Sequence, residues 1–332
     1  MLFPAYNISY CGNMKAQMRQ NRKTEGSRIF LQKTNTIAKL ALLLATIIWG
    51  SSFIIMKDAL DDMGTFFLLA VRFTGACILL AVVFWYKLRL LNFYYIKAGF
   101  VMGSMLLAAY AVQTFGLAET TPGKNAFLTA GYCVMVPFLY WLIAGKRPDR
   151  YNISAAVLCI LGIGLVSLDS NLTMGRGDLL TVACGLFYAL HIIVSTRYTQ
   201  GSDVMLLTIS QFFFAAFWSW VMSFFFETAP ILSDVRLYTW FSLAYLCVFA
   251  TAGALGLQMY GLKYTAPAAG ALILSLEAVF GVLFSVLVGA EAVTPRLLLG
   301  FVIIFIAIVV SETKLEFLQK KKAPSECCSG DC

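Results

Sequence analysis

Long apolar runs separated by short polar breaks set the pattern of this chain. Ten such runs lie near residues 37–59, 64–86, 96–118, 122–145, 151–169, 177–199, 203–226, 238–260, 266–289 and 293–312. Each is long enough to cross a hydrocarbon core of ~30 Å, which takes about 20 helical residues. The breaks hold turn formers: Asp61-Asp62, Thr121-Pro122-Gly123, Lys146-Arg147-Pro148, Asn171, Gly175, Thr265-Ala266-Pro267 and Thr294-Pro295. They are too short to house a soluble domain. Lipid offers the backbone no hydrogen bonds, so runs of this kind must be helices. The pattern therefore predicts an all-α polytopic membrane protein with ten transmembrane helices.

The runs also repeat. Gln113–Lys146 lies over Gln258–Glu291 without a gap, at a constant offset of 145. Gln113 falls on Gln258, Gly116 on Gly261, Leu117 on Leu262, Thr120 on Thr265, Pro122 on Pro267 and Ala126 on Ala271. Runs 3–5 thus match runs 8–10, and Trp49-Gly-Ser-Ser-Phe-Ile-Ile in run 1 falls more weakly on Tyr188-Ala-Leu-His-Ile-Ile-Val in run 6. Each repeat holds five helices. Five is odd, so the second repeat enters from the opposite face, and inverted repeats of this kind place a substrate site near the midplane at their interface. The expected layout is a basic tail over 1–36, a first five-helix repeat over 37–170, a second over 176–313, and a C-terminal tail over 314–332.

Charge gives the orientation. Basic residues fall in alternate loops: the N-terminal tail, Lys87/Arg89/Lys97, Lys146/Arg147/Arg150, Arg197, Lys263 and Lys314/Lys320/Lys321/Lys322. The intervening loops carry most of the acidic residues, so both termini are expected in the cytoplasm of a multi-pass protein of the cytoplasmic membrane. The 60% hydrophobic and 13% charged composition, with mean hydropathy +0.80, departs from soluble proteins in the same direction. The net charge of +8 is explained by these loops, and nucleic acid is not an expected partner. Nine cysteines imply no disulfide framework: five lie inside apolar runs, where Cys acts as a small hydrophobe, and Cys327, Cys328 and Cys332 sit in the tail.

Inverted symmetry filters the polar residues. Matched residues share one depth only when both lie near mid-span, which selects Trp49 with Tyr188 and Tyr132 with Glu277 as the substrate-binding set. Aromatic walls with one polar tip suit a small organic substrate. Glu277 is a mid-span carboxylate, whose insertion costs roughly 2.5–3.5 kcal/mol or more. It can pair with a cationic substrate, carry a proton or cap a buried network. Gln113, toward the outer end of run 3, and Gln258, toward the inner end of run 8, belong to opposite gates. Asn125 and the single histidine, His191, join them as gate or cavity-lining residues, His191 with a helix–helix hydrogen bond as its expected contact. Arg72 either faces the cavity or pairs with Asp61 or Asp62, and the pair is the expected contact. A lone histidine excludes HExxH and any two-His metal site. No metal or other cofactor is expected, and the runs hold no catalytic constellation.

Trp49-Gly-Ser-Ser-Phe, Thr121-Pro-Gly-Lys-Asn-Ala-Phe-Leu-Thr129 and Leu276-Glu277 through Gly289-Ala-Glu291 resemble the EamA branch of the drug/metabolite transporter superfamily, over roughly residues 37–312. The family pattern often has Pro after the run-9 Glu, where this chain has Ala278. The resemblance implies a ten-helix basket with runs 1, 3, 4, 6, 8 and 9 around a central cavity. It also implies a secondary transporter or facilitator working by alternating access, exporting a small metabolite such as an amino acid, in a superfamily of monomers and homodimers. Uptake of a vitamin or sugar derivative by the same fold is the alternative, and a non-transporting membrane scaffold or sensor is the alternative from another class.

Overall fold

The computed structural model describes residues 36–145, 147–168, 174–199, 201–265, 267–292 and 294–314. The basic N-terminal tail, Lys146 and the cysteine-bearing C-terminal tail lie outside the described residues. The helices are α1 (Thr36–Ala59), α2 (Thr65–Val83), α3 (Phe93–Glu119), α4 (Pro122–Ala130), α5 (Tyr132–Ala144), α6 (Arg150–Ser167), α7 (Arg176–Thr199), α8 (Val204–Phe226), α9 (Leu237–Tyr245), α10 (Ala254–Tyr264), α11 (Pro267–Leu287) and α12 (Pro295–Thr313). Among the described residues, eight helical stretches are long and apolar enough to cross a membrane. Ile273–Leu287 and Pro295–Ser311, in α11 and α12, are shorter apolar stretches.

Turn chemistry starts the helices where the breaks predict. Asn92, Asp149 and Asp203 each accept two backbone N–H groups from the first turn that follows. Thr121 and Thr294 do the same for Lys124 and Leu297, each ahead of a Pro at the first helical position, where its missing N–H costs nothing. Gly145, at φ 72°, ends α5.

Three of the predicted runs are not uniform. Run 2 stops being α-helical at Val83 and continues as a 3-10 turn, Trp85–Leu90, whose aromatic and basic residues suit a membrane–water interface. Run 4 breaks at Gly131 between α4 and α5, where the chain tightens through a Gly131 N–H to Leu128 carbonyl bond of 3.2 Å. Run 8 passes through a π-helical segment, Leu246–Gly253, between α9 and α10. Such segments are rare and frequently lie at functional sites.

Helices pack on their counterparts in the other half. α2 lies against α8, α4 against α11, and α6 against α12, while α3 runs along α7 and α8. The largest buried cluster is built around Leu68, Phe73, Phe212 and Leu246, and a second centres on stacked Phe127 and Phe301, 4.3 Å apart. Phe224, Phe225, Phe226 and Leu142 project outward from the bundle.

The polar contacts between connections fall into two sets. One joins Lys87 to Asp203 (2.6 Å), Tyr94 to the Tyr198 carbonyl (2.9 Å) and Lys314 to Asp149 (2.7 Å). The other joins Arg236 to Asp62 (2.8 Å), Lys124 to Asp178 (3.6 Å), Arg176 to Glu119 (3.6 Å) and Arg296 to the Leu168 carbonyl (2.5 Å). Arg236 and Thr239, both bonded to Asp62, hold that carboxyl below its ordinary range. Among the described residues, none of these contacts links one set to the other. The first set gathers the basic connections and defines the basic face; the second defines the opposite face.

On the opposite face, Glu227 at the end of α8 accepts the Phe66 and Phe67 N–H groups, both at 2.8 Å. α2 has no side-chain cap of its own, so Glu227 supplies both the acceptor and the negative charge its N-terminus favours. Charge-assisted bonds contribute more than neutral ones. Glu227→Ala is therefore expected to lower stability in detergent by about 2 kcal/mol, and Glu227→Gln by less. Equal melting temperatures for wild type and both variants would contradict this.

Candidate functional site

Two features occupy the interior. The first is a cavity of about 810 Å³ whose lining includes Lys87, His191, Gln211, Leu255, Gln258 and Tyr264. Lys87 and Asp203 meet beside it, so it lies toward the basic face. The second is a buried polar cluster between α3, α4, α5, α7 and α11, reaching toward the opposite face.

Tyr188 on α7 organises the cluster. Its hydroxyl donates to Gln113 Oε1 at 2.7 Å, and Gln113 Nε2 donates to Thr129 Oγ1 at 3.1 Å. Asn125 Nδ2 donates to the Gln113 carbonyl (3.2 Å) and to Thr181 Oγ1 (2.8 Å). Asn125 is fully buried, and among the described residues its Oδ1 has no partner. Such an atom costs the desolvation of an unmade bond, about 1–3 kcal/mol. The Tyr188 ring sits 5.6 Å from Tyr110 and 5.9 Å from Tyr132. Tyr132 and Glu277 line one narrow crevice together with Thr129 and Ser275.

Of the four residues selected by depth, the fold brings Tyr132, Tyr188 and Glu277 into one neighbourhood. Trp49 makes its hydrogen bond elsewhere: its indole N–H donates to the Ala250 carbonyl at 2.7 Å, in the π-helical segment. The two glutamines lie in different places, Gln258 lining the cavity and Gln113 sitting in the cluster. Gln113 is nevertheless bonded to mid-span Tyr188. Their backbone positions differ in depth, and two long side chains close the difference. His191 bonds Gln211 on α8 across 3.0 Å, with Ser195 Oγ 3.3 Å away.

The expected pairing of Arg72 with Asp61 or Asp62 is corrected. Arg236 takes Asp62, and Arg72 is 1% exposed in the interior. Its Nε donates to Thr251 Oγ1 at 2.7 Å, and its guanidinium lies 4.9 Å from the Tyr110 ring centroid. Proximity along the chain suggested the aspartates, but Arg72 lies two turns inside α2 and faces the bundle. Sequence reasoning passed over Tyr110, Thr181 and Thr251. Tyr110 is one aromatic among many, and the hydroxyls gain meaning only from the helices brought against them.

A polytopic helical bundle built from two related halves, with a cavity at one face and polar side chains gathered inside, has the form of a membrane transporter. The sequence profile of the EamA-like transporter family matches residues 36–168 and 175–313. An uncharacterized transporter of Archaeoglobus fulgidus is 33% identical over 273 residues, covering 82% of this chain and 85% of that protein. The uncharacterized transporter YoaV of Bacillus subtilis is 20% identical over 274 residues, 80% of this chain and 93% of its own length. A solved crystal structure superposes with a TM-score of 0.62 at 15% identity, over 87% of this chain and 99% of that one, a likeness of fold alone. The chain belongs to the EamA-like transporter family: it is a multi-pass membrane protein whose family implies a small-molecule substrate.

Proposed function

We propose that the protein is a secondary transporter or facilitator that exports a small metabolite, such as an amino acid or related compound, across the cytoplasmic membrane by alternating access. Residues 37–170 and 176–313 are its two units, each crossing the membrane five times in opposite senses, with both termini cytoplasmic. The observation that carries this reading is the asymmetry of the interior. A cavity of about 810 Å³ lies toward the basic face, while toward the opposite face the interior is filled by the hydrogen-bonded cluster of Tyr188, Gln113, Asn125 and Thr181. A cavity with one closed end is one state of an alternating-access cycle.

A further observation supports inversion. The connection α1–α2 joins the face opposite the basic one through Asp62, whereas its counterpart α7–α8 joins the basic face through Asp203. Repeats running in the same sense would put both on one face. In this scheme Tyr132, Tyr188, Glu277 and Trp49 form the central site. His191 and Gln258 line the path from the cytoplasm, and Gln113 and Asn125 hold the closed end.

Metabolite profiles of cells over-expressing the wild type against Glu277→Gln test the reading. At least one small metabolite is expected to rise in the medium with the wild type, and to do so about tenfold less with Glu277→Gln, a loss of ~1.4 kcal/mol of recognition. Identical profiles for wild type, variant and empty cells would sink it.

A further inference from the structure

Arg72 carries a full charge into the interior with few acceptors to meet it. A guanidinium offers five N–H donors. The Arg72 hydrogen bonds are Nε to Thr251 Oγ1 (2.7 Å) and Nη1 to the Met56 thioether (3.4 Å), and a thioether is a weak acceptor. Among the described residues, no carboxylate lies within ion-pair distance of it. Three acidic groups at that end of the bundle are engaged elsewhere: Asp62 with Arg236, Glu227 with the first turn of α2, and Asp178 with Thr120 and Lys124. At the other end of this neighbourhood Glu277 shares a narrow crevice with Tyr132, while the Arg72 guanidinium lies over the Tyr110 ring. A cation and a carboxylate thus face one aromatic column, in which Tyr110, Tyr188 and Tyr132 follow at 5.6 and 5.9 Å.

We propose, on the transport reading above, that Arg72 receives an acidic group of the substrate, a carboxylate or a phosphate, at the closed end of the cavity opposite Glu277. The planar fork of Arg suits the two oxygens of either group, and Lys does not reproduce that geometry. The oxyanion replaces the Met56 sulfur as acceptor and takes donors that Thr251 leaves free. Two short routes through packed neighbours lead from Arg72 to the cavity lining. Gln211 lines the cavity while its neighbour Phe212 packs on Phe73, and Leu255 lines it one turn beyond Thr251. The Thr251 hydroxyl is itself tied to the Leu246 carbonyl across the π-helical turn (2.7 Å). Rearrangement of that turn uncovers the guanidinium when the wall parts.

The test uses the full chain in proteoliposomes loaded with the water-soluble metabolite extract of the host cell. Compounds released by the wild type are expected to carry a carboxylate or a phosphate, and their identities separate the two sources. For a released acid, Arg72→Met is expected to raise KM at least tenfold with kcat held, and Arg72→Lys to recover part of the loss. Wild-type release of compounds without any acidic group overturns the assignment while leaving transport intact, and this arm needs no variant. Equal KM values for wild type and a folded Arg72→Met also overturn it, as does a fall in kcat alone, which marks a structural arginine. If the wild type releases nothing, the transport reading fails first and this assignment with it.

Discussion

Gly50→Val is expected to leave little correctly assembled protein after extraction into detergent. A Cβ at Gly50 would stand 2.5 Å from Phe280 Cβ and 2.9 Å from the Gly281 backbone nitrogen. Neither is the free end of a flexible side chain. Relief therefore requires α1 and α11 to move apart along their length. Overpacking costs about 1–3 kcal/mol where side chains can adjust, and valine adds two methyl groups to a contact that cannot. Small residues are what allow helices in lipid to approach this closely. The site feels the change directly, since Trp49 precedes Gly50 and Glu277 lies one turn before Gly281 on α11. A fluorescence-monitored size-exclusion profile reads the outcome. A monodisperse peak of wild-type height would show that the two helices are not held at this distance, and Gly50→Ala should fall between.

Lys57→Met is expected to shift the protein toward opening at the face opposite the cavity. The Lys57 ammonium at the end of α1 donates to the carbonyls of Leu117 and Ala118, both at 2.6 Å, and of Thr120 at 3.1 Å. These are the free acceptors at the C-terminus of α3, where the helix dipole favours a cation. Hydrogen bonds from charged groups contribute about 1.5–3 kcal/mol each. Loss of about 2 kcal/mol from the closed arrangement alone corresponds to roughly a 30-fold change in the balance between states. Thr114 is fully buried in α3 beside Met56 and serves as the reporter. Thr114→Cys in the Lys57→Met background should react with a membrane-impermeant maleimide, added from outside, at least tenfold faster than in the Lys57 parent. Equal rates would mean that Lys57 caps a helix without holding a gate.

These contacts mark where sequence reading reached its limit. Lys57 stands at the end of its apolar run as any interfacial charge does, and the carbonyls it binds lie 60, 61 and 63 positions away. The order of apolar runs and the offset of 145 between repeats were legible, since lipid penalises every unpaired backbone group and leaves helix as the answer. Glu277 was legible as a candidate because a mid-span carboxylate is costly on its own account. Gly131, by contrast, reads like many other small residues, and its break between α4 and α5 follows from local backbone geometry.

The amino-acid sequence by itself determined the helical class, the duplication, the alternation of basic connections and the short list of mid-span polar residues. These depend on quantities local to each segment: hydropathy, length and charge. The tertiary structure alone decided that Arg72 meets Thr251 and Tyr110, that Gln113 reaches Tyr188, and that Trp49 serves the π-helical turn. Hydrogen-bond partners across a helical bundle are chosen by which faces meet, and the faces meet according to packing summed over the whole protein.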